Sequence, residues 1–163
     1  MMKEDNTSSK TAAPHWSEKW ELVVGLEVHA QLLTKSKACS SDANAYGDRP
    51  NTLVGPVTLG MPGTLPVRNR TVIDHAIKLG LACGCTIAPR MHYARKNYFY
   101  PDLPKGYQIT QDTTPICTGG AIVITMPDGS EKAIELTRIH MEEDAGKSIH
   151  DVDPFYTLID LNR

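Results

Sequence analysis

Between Arg95 and Ile109 the chain reads Arg-Lys-Asn-Tyr-Phe-Tyr-Pro-Asp-Leu-Pro-Lys-Gly-Tyr-Gln-Ile. Pro101 and Pro104 fix their own φ, withhold two backbone donors and push Tyr100 and Leu103 out of the α region, so no helix crosses this stretch. Gly106, directly after Lys105, permits a turn that a β-carbon would hinder. The run is also too irregular for a clean strand, which leaves a stiff loop. Such a loop either carries its cations and aromatics outward as the wall of a site or braces the core with its cations in solvent.

The elements on either side are arranged around that loop. Residues 1–19 are polar, without periodicity, and are expected to form a disordered leader. From Leu22 to Leu32 the chain is rich in strand formers. Its second half alternates, with Leu26, Val28 and Ala30 on one side and Glu27, His29 and Gln31 on the other, so a half-buried strand is expected. Residues 50–66 carry Pro50, Gly55, Pro56, Gly60, Pro62, Gly63 and Pro66, a long ordered loop. A helix is expected from about Arg68, capped by Asn69 or Thr71. Val72, Ala76, Leu79 and Cys83 fall at helical spacing, and Gly84 is the stop. Ala121–Thr125 and Lys132–Met141, joined through Pro127-Asp-Gly129, predict a β-hairpin. A last short strand is expected over Tyr156–Leu161. The fold class is therefore α+β, with a mixed, mainly antiparallel sheet, few helices and long ordered loops.

Composition narrows the function classes. A net charge of −2 gives no global basic field, so any nucleic-acid contact must use a local patch. Four scattered cysteines form no disulfide framework and suit a reduced, cytoplasmic protein. No apolar run approaches the roughly 18 residues of a membrane span.

Two acidic clusters remain: Glu27 with His29, and Glu142-Glu143-Asp144, three adjacent carboxylates that repel one another unless solvated or neutralised. Around them stand Arg95, Lys96, Lys105, Arg138 and Lys147. Carboxylates that gather a divalent cation, beside basic groups that neutralise phosphate oxygens, are what phosphoryl transfer requires. An exposed acidic triplet with no ligand is the competing interpretation. No Walker-type loop or kinase signature is present, and no Ser-His-Asp or Cys-His arrangement emerges from the spacing.

Four segments taken in order resemble the N-terminal part of the B subunit of the aspartyl/glutamyl-tRNA(Asn/Gln) amidotransferases. They are Val24-Gly-Leu-Glu-Val-His-Ala-Gln-Leu32, Thr58-Leu-Gly-Met-Pro-Gly63, Arg95–Ile109 and Arg138-Ile-His-Met-Glu-Glu-Asp-Ala-Gly-Lys147. The resemblance runs from about Trp20 to Arg163 and implies the N-terminal part of that family's catalytic, cradle-shaped domain over residues 20–163. It further implies a ligase component, working with an amidase A subunit, a small C subunit and misacylated tRNA. The side-chain carboxylate of the attached Glu or Asp would be phosphorylated from ATP with Mg²⁺, and ammonia would then displace the phosphate. Carried over residue by residue, Glu27, His29, Glu142 and Glu143 become candidate metal ligands, with Glu27 and Glu143 as the catalytic carboxylates. Lys147, Arg95 and Lys105 become candidate phosphate contacts.

Many members of the family hold zinc with two cysteine pairs. The matching positions here are Ser40, Asp42, Gly55 and Thr58, so no zinc is expected, and the loop between Lys35 and Gly63 should be held by packing and its prolines. Members also continue past Asp160-Leu-Asn-Arg163 into a tRNA-binding tail. The chain is thus expected to be an incomplete catalytic domain, inactive alone. Its alternative role is a non-catalytic tRNA-binding or subunit-docking module.

Overall fold

The computed structural model describes residues 19–162, which fall into a short N-terminal unit ending at Gln31 and a larger unit beginning at Leu32. All but Lys19 of the expected leader lies outside the described residues. In the N-terminal unit, residues 20–31 form no helix or strand, and Leu22, Val23, Val24, Leu26 and Val28 are all exposed. The strand expected over 22–32 is therefore absent among the described residues. Alternation supplies two faces, but only a neighbouring strand supplies the ladder that makes a strand.

The larger unit is built on one helix. Helix α1 (Arg70–Ala82) begins where Asn69 accepts a hydrogen bond from the Thr71 N–H, and it ends at Cys83 before Gly84, whose φ is +68°. Its buried stripe is Val72, Ala76 and Gly80, with Ile73 and Ile77 alongside. Leu79, expected on that stripe, is turned out to solvent. Gly80 replaces it because the sheet comes too near: a β-carbon there would lie 2.4 Å from Cys117 Sγ and 2.8 Å from Ile87 Cδ1.

That sheet has three short antiparallel strands in the order β1 (Thr86–Ile87), β4 (Cys117–Thr118) and β7 (Arg138–Ile139). The core sits between helix and sheet and holds Val72, Ala76, Cys85, Ile116, Cys117 and Met141. Gln111, 1% exposed, ties the core backbone together: its Oε1 accepts from the Ile116 N–H at 3.2 Å and the Met141 N–H at 3.1 Å.

Three antiparallel ribbons complete the unit: β2 (Ala94–Asn97) with β3 (Tyr107–Thr110), β5 (Ala121–Thr125) with β6 (Glu131–Glu135), and β8 (Lys147–Ile149) with β9 (Leu158–Asp160). The first corrects the all-loop expectation for Arg95–Ile109. The prolines occupy only the connection, and both ends pair in register, Arg95 opposite Ile109 and Asn97 opposite Tyr107. The second ribbon forms over its Pro-Asp-Gly turn as expected, but its second strand stops at Glu135 rather than running to Met141. There the Leu136 N–H bonds back to Gly120, and Arg138–Ile139 leave to pair with β4 instead. The mainly antiparallel α+β class stands, with one helix and several small antiparallel sheets among the described residues.

Candidate functional site

The free edge of β3 positions the acidic segment. Ile109 turns its N–H and C=O away from β2, as alternate residues of an antiparallel strand do. Glu143 meets both groups: its own N–H donates to Ile109 O at 2.8 Å, and Ile109 N–H donates to Glu143 Oε2 at 3.2 Å. Its other oxygen takes an ion pair from Lys105, whose side chain is 6% exposed against 18% for Glu143. Gln108 Nε2 donates to Glu143 O at 2.7 Å, and Tyr98 in turn donates its hydroxyl to Gln108 Oε1 at 2.6 Å. Glu142 points to the next residue along: Thr110 Oγ1 donates to its Oε2 at 2.6 Å, and His140 Nε2 stands 3.9 Å from that oxygen. Burial and then the nearby carboxylates of Asp102, Glu142, Asp144 and Glu143 raise the pKa of the Tyr98 phenol.

Cations stand on the same ribbon. Arg95 Cζ lies 5.2 Å and Lys105 Nζ 5.4 Å from the centre of the Tyr107 ring. Beside them a small pocket of about 70 Å³ is lined by Val57, Gly60, Met61, Thr64, Pro66, Lys105 and Tyr107. Of the residues expected at the site, the structure thus brings Glu142 and Glu143 against the ribbon that carries Lys105 and Arg95. Lys147 is exposed at the start of β8, opposite Asp160. Glu27 and His29 belong to the N-terminal unit, where both are exposed. Among the described residues no group of three or more His, Cys, Asp or Glu side chains gathers as a ready metal cage. Sequence reasoning missed Gln108, Thr110 and His140. Their signal was the alternation of Gln108 with Thr110, hidden once the stretch was taken as loop.

A second convergence involves Ser40, Asp42, Gly55 and Thr58. The Asp42 carboxylate accepts from the Thr58 hydroxyl and from the Gly55 backbone, while the Asp42 N–H donates to Ser40 Oγ at 3.3 Å. Gly55 is required by the approach itself, since a β-carbon there would lie 2.3 Å from Asp42 Oδ1. Burial pushes the Asp42 pKa up, but the hydrogen bonds from Thr58, Gly55 and Ser40 and the charge of Lys37 together hold it below the ordinary value. One carboxylate already taken by hydroxyl and amide donors, with no thiolate beside it, does not fit a zinc donor set. The loop is therefore not held by packing and prolines alone, as expected, but by this carboxylate clasp. It is also tied to β9: the Asn51 N–H donates to Asp160 Oδ1 at 3.1 Å, the Leu53 N–H to Asn162 Oδ1 at 2.8 Å, and Lys37 Nζ to Leu161 O at 2.9 Å. Cys39, one residue before Ser40, is 5% exposed; burial, with the Glu143 charge adding to it and Lys105 opposing, raises its pKa to about 11.

Among the described residues no helix is long and apolar enough to cross a membrane. Residues 22–163 match the family model described as the GatB/GatE catalytic domain. The chain is 58% identical over 145 residues to the B subunit of the aspartyl/glutamyl-tRNA(Asn/Gln) amidotransferase of Halorhodospira halophila, covering 89% of this chain and 30% of that protein. It is 60% identical over 141 residues to the protein of the same name from Myxococcus xanthus, covering 86% and 29%. In Chlorobium limicola the corresponding figures are 60% over 145 residues, 89% and 30%. The chain thus spans about 30% of the length of the curated relatives it matches. With a family model matched from the start of the apolar Leu22 segment to Arg163, the chain belongs to the GatB/GatE catalytic-domain family.

Proposed function

We propose that this chain contributes to an ATP-using, tRNA-dependent amidotransferase. In that activity a tRNA-linked glutamate or aspartate is phosphorylated on its side chain, and ammonia from a partner amidase displaces the phosphate. The chain would work with the amidase A subunit and the small C subunit, in the cytoplasm where translation takes place. The observation that carries this reading is the β2–β3 ribbon, along whose edge Glu142 and Glu143 are fixed by hydrogen bonds while Lys105 and Arg95 bring positive charge beside them. A carboxylate is a poor electrophile and oxide a poor leaving group. Phosphorylation solves both problems, and it needs positive charge held where phosphate charge accumulates.

Mg²⁺ fits the oxygen donors present, because it takes one or two carboxylates and completes its shell with water and substrate phosphates. Glu142 is the better direct ligand of the pair. Glu143 has both oxygens engaged, by Lys105 and by the Ile109 N–H, so it acts chiefly by fixing charge and position. Lys147 would add charge toward phosphate. When bound, the ion neutralises phosphate oxygens.

Titration of the chain with Mn²⁺ in the presence and absence of ATP, followed by electron paramagnetic resonance, tests this. ATP is expected to tighten Mn²⁺ binding, Glu142→Gln to weaken it by about tenfold or more, and Arg95→Ala to weaken ATP alone. Mn²⁺ binding that ignores both ATP and Glu142→Gln would refute the proposal.

A further inference from the structure

The acidic segment is held at both ends. At its start Glu143 is fixed to β3 through the Ile109 backbone and the Gln108 amide. At its end the Gly146 N–H donates to Asp102 O at 2.9 Å. A β-carbon at Gly146 would lie 2.8 Å from Leu161 Cδ2, 2.9 Å from Asp102 O and 3.0 Å from Asp160 O. Gly146 is therefore wedged between the turn that carries Asp102 and the end of β9. In packing this close, a shift of Leu161 must be taken up by Gly146 and its neighbours. Leu161 is itself gripped by the 35–66 loop: its N–H donates to Asn51 Oδ1 at 2.8 Å, and its C=O accepts from Lys37 Nζ at 2.9 Å.

Lys37 stands where three elements meet. Asp42 of the clasp, Asp160 of β9 and Glu143 of the acidic segment all act on its half-buried charge. Burial pulls its pKa below the ordinary value and Lys105 adds to this, while the three carboxylates oppose it. The clasp has its own donors in Thr58, Gly55 and Ser40. What Lys37 alone supplies is the bond to Leu161 O, with its charge set toward Glu143.

We propose that Lys37 is a positioning residue for the acidic segment: by holding Leu161 O it seats Gly146 and so fixes where Glu142 and Glu143 present their carboxylates. That this segment serves phosphoryl transfer rests on the function proposed above; the seating does not. A misplacement of about 1 Å is enough to cost a catalytic site about a hundredfold.

Amide hydrogen exchange of the 163-residue chain, followed by NMR, tests the seating. Lys37→Met keeps the apolar stem and removes the donor. It is expected to speed exchange at Gly146 about tenfold relative to Ala76 in α1. Lys37→Arg, which keeps charge and donors, should bring Gly146 back to within about threefold, and Lys35→Met at the exposed neighbour should stay within about twofold. Leu161→Ala removes the contact on Gly146 but leaves its C=O to Lys37. It should loosen Gly146 likewise, which keeps the seating testable if Lys37→Met does not fold. In the ATP and Mn²⁺ titration Lys37→Met should weaken Mn²⁺ about tenfold, as loss of an outer support of a ligand does, and Lys37→Arg should recover it. Gly146 exchange unchanged in Lys37→Met, or raised no more than at Ala76, would overturn the proposal. So would a variant with Gly146 loosened and Mn²⁺ affinity intact. A wild-type chain without ATP-linked Mn²⁺ binding refutes the function proposed above, and exchange at Gly146 still decides the seating.

Discussion

Removing the charge of Glu143 should cost the fold more than it costs any surface site. Its carboxylate faces a Lys105 ammonium whose side chain is 6% exposed. Glu143→Gln keeps the shape and still offers an oxygen to the Ile109 N–H, so what is lost is charge against a buried cation. Breaking a buried pair from one side costs about 3–5 kcal/mol. The Tyr107 ring, 5.4 Å from the ammonium, returns about 1 kcal/mol, which leaves roughly 3 kcal/mol for Glu143→Gln. Lys105→Met leaves a carboxylate that is 18% exposed and still hydrogen-bonded, so about 2 kcal/mol is expected. The double variant should lose less than the sum, with a coupling of about 2 kcal/mol. Urea unfolding measures all three: at a slope of about 1.5 kcal/mol/M, Glu143→Gln should lower the midpoint by ~2 M. Two singles that each cost under about 0.5 kcal/mol and add without coupling would show that the pair is solvated like a surface bridge and refute the reasoning. A practical consequence is that lost activity in Glu143→Gln cannot be assigned to chemistry until its stability is known; Glu142→Gln is the cleaner probe.

Two further outcomes follow from perturbed groups. The Asp42 carboxyl is held below its ordinary value in the folded chain, so its contribution is present above about pH 4 and fades as pH falls through the folded value. The stability gap between the wild type and Asp42→Asn should therefore be widest near neutrality and shrink below about pH 4; a gap constant from pH 7 to pH 2 would contradict the clasp. At about 11, the Cys39 thiol is about 10⁻⁴ ionised at pH 7, so mass-mapped iodoacetamide labelling of the folded chain should leave Cys39 unmodified and modify it only after denaturation.

Local signals carried much of this fold. α1 was legible because thirteen residues repeat one period between an Asn cap and a glycine stop. The β5–β6 turn was legible because Pro-Asp-Gly dictates it. What escaped depended on partners far away in the chain. The Leu22–Leu32 alternation could not show whether a neighbour strand would meet it. The prolines at 101 and 104 masked strands that begin only a few residues outside them. The acidic triplet and the cations were visible as chemistry, but the pairing of Glu143 with Lys105 spans 38 residues and depends on the register of β3. The link between Thr58 and Asp42 crosses 16 residues and needed the close approach at Gly55.

The ties between the 35–66 loop and β9 also set an order of events. Asn51 reaches Asp160 across 109 residues, and Leu53 reaches Asn162 across the same span. A helix such as α1 can form within its own neighbourhood, but contacts this remote make folding slow, and during synthesis they must wait for the distal stretch to emerge. Until then the loop has only its internal Asp42 clasp to hold its shape. That clasp then serves as a splint, keeping an early-made segment in form for a late-arriving partner.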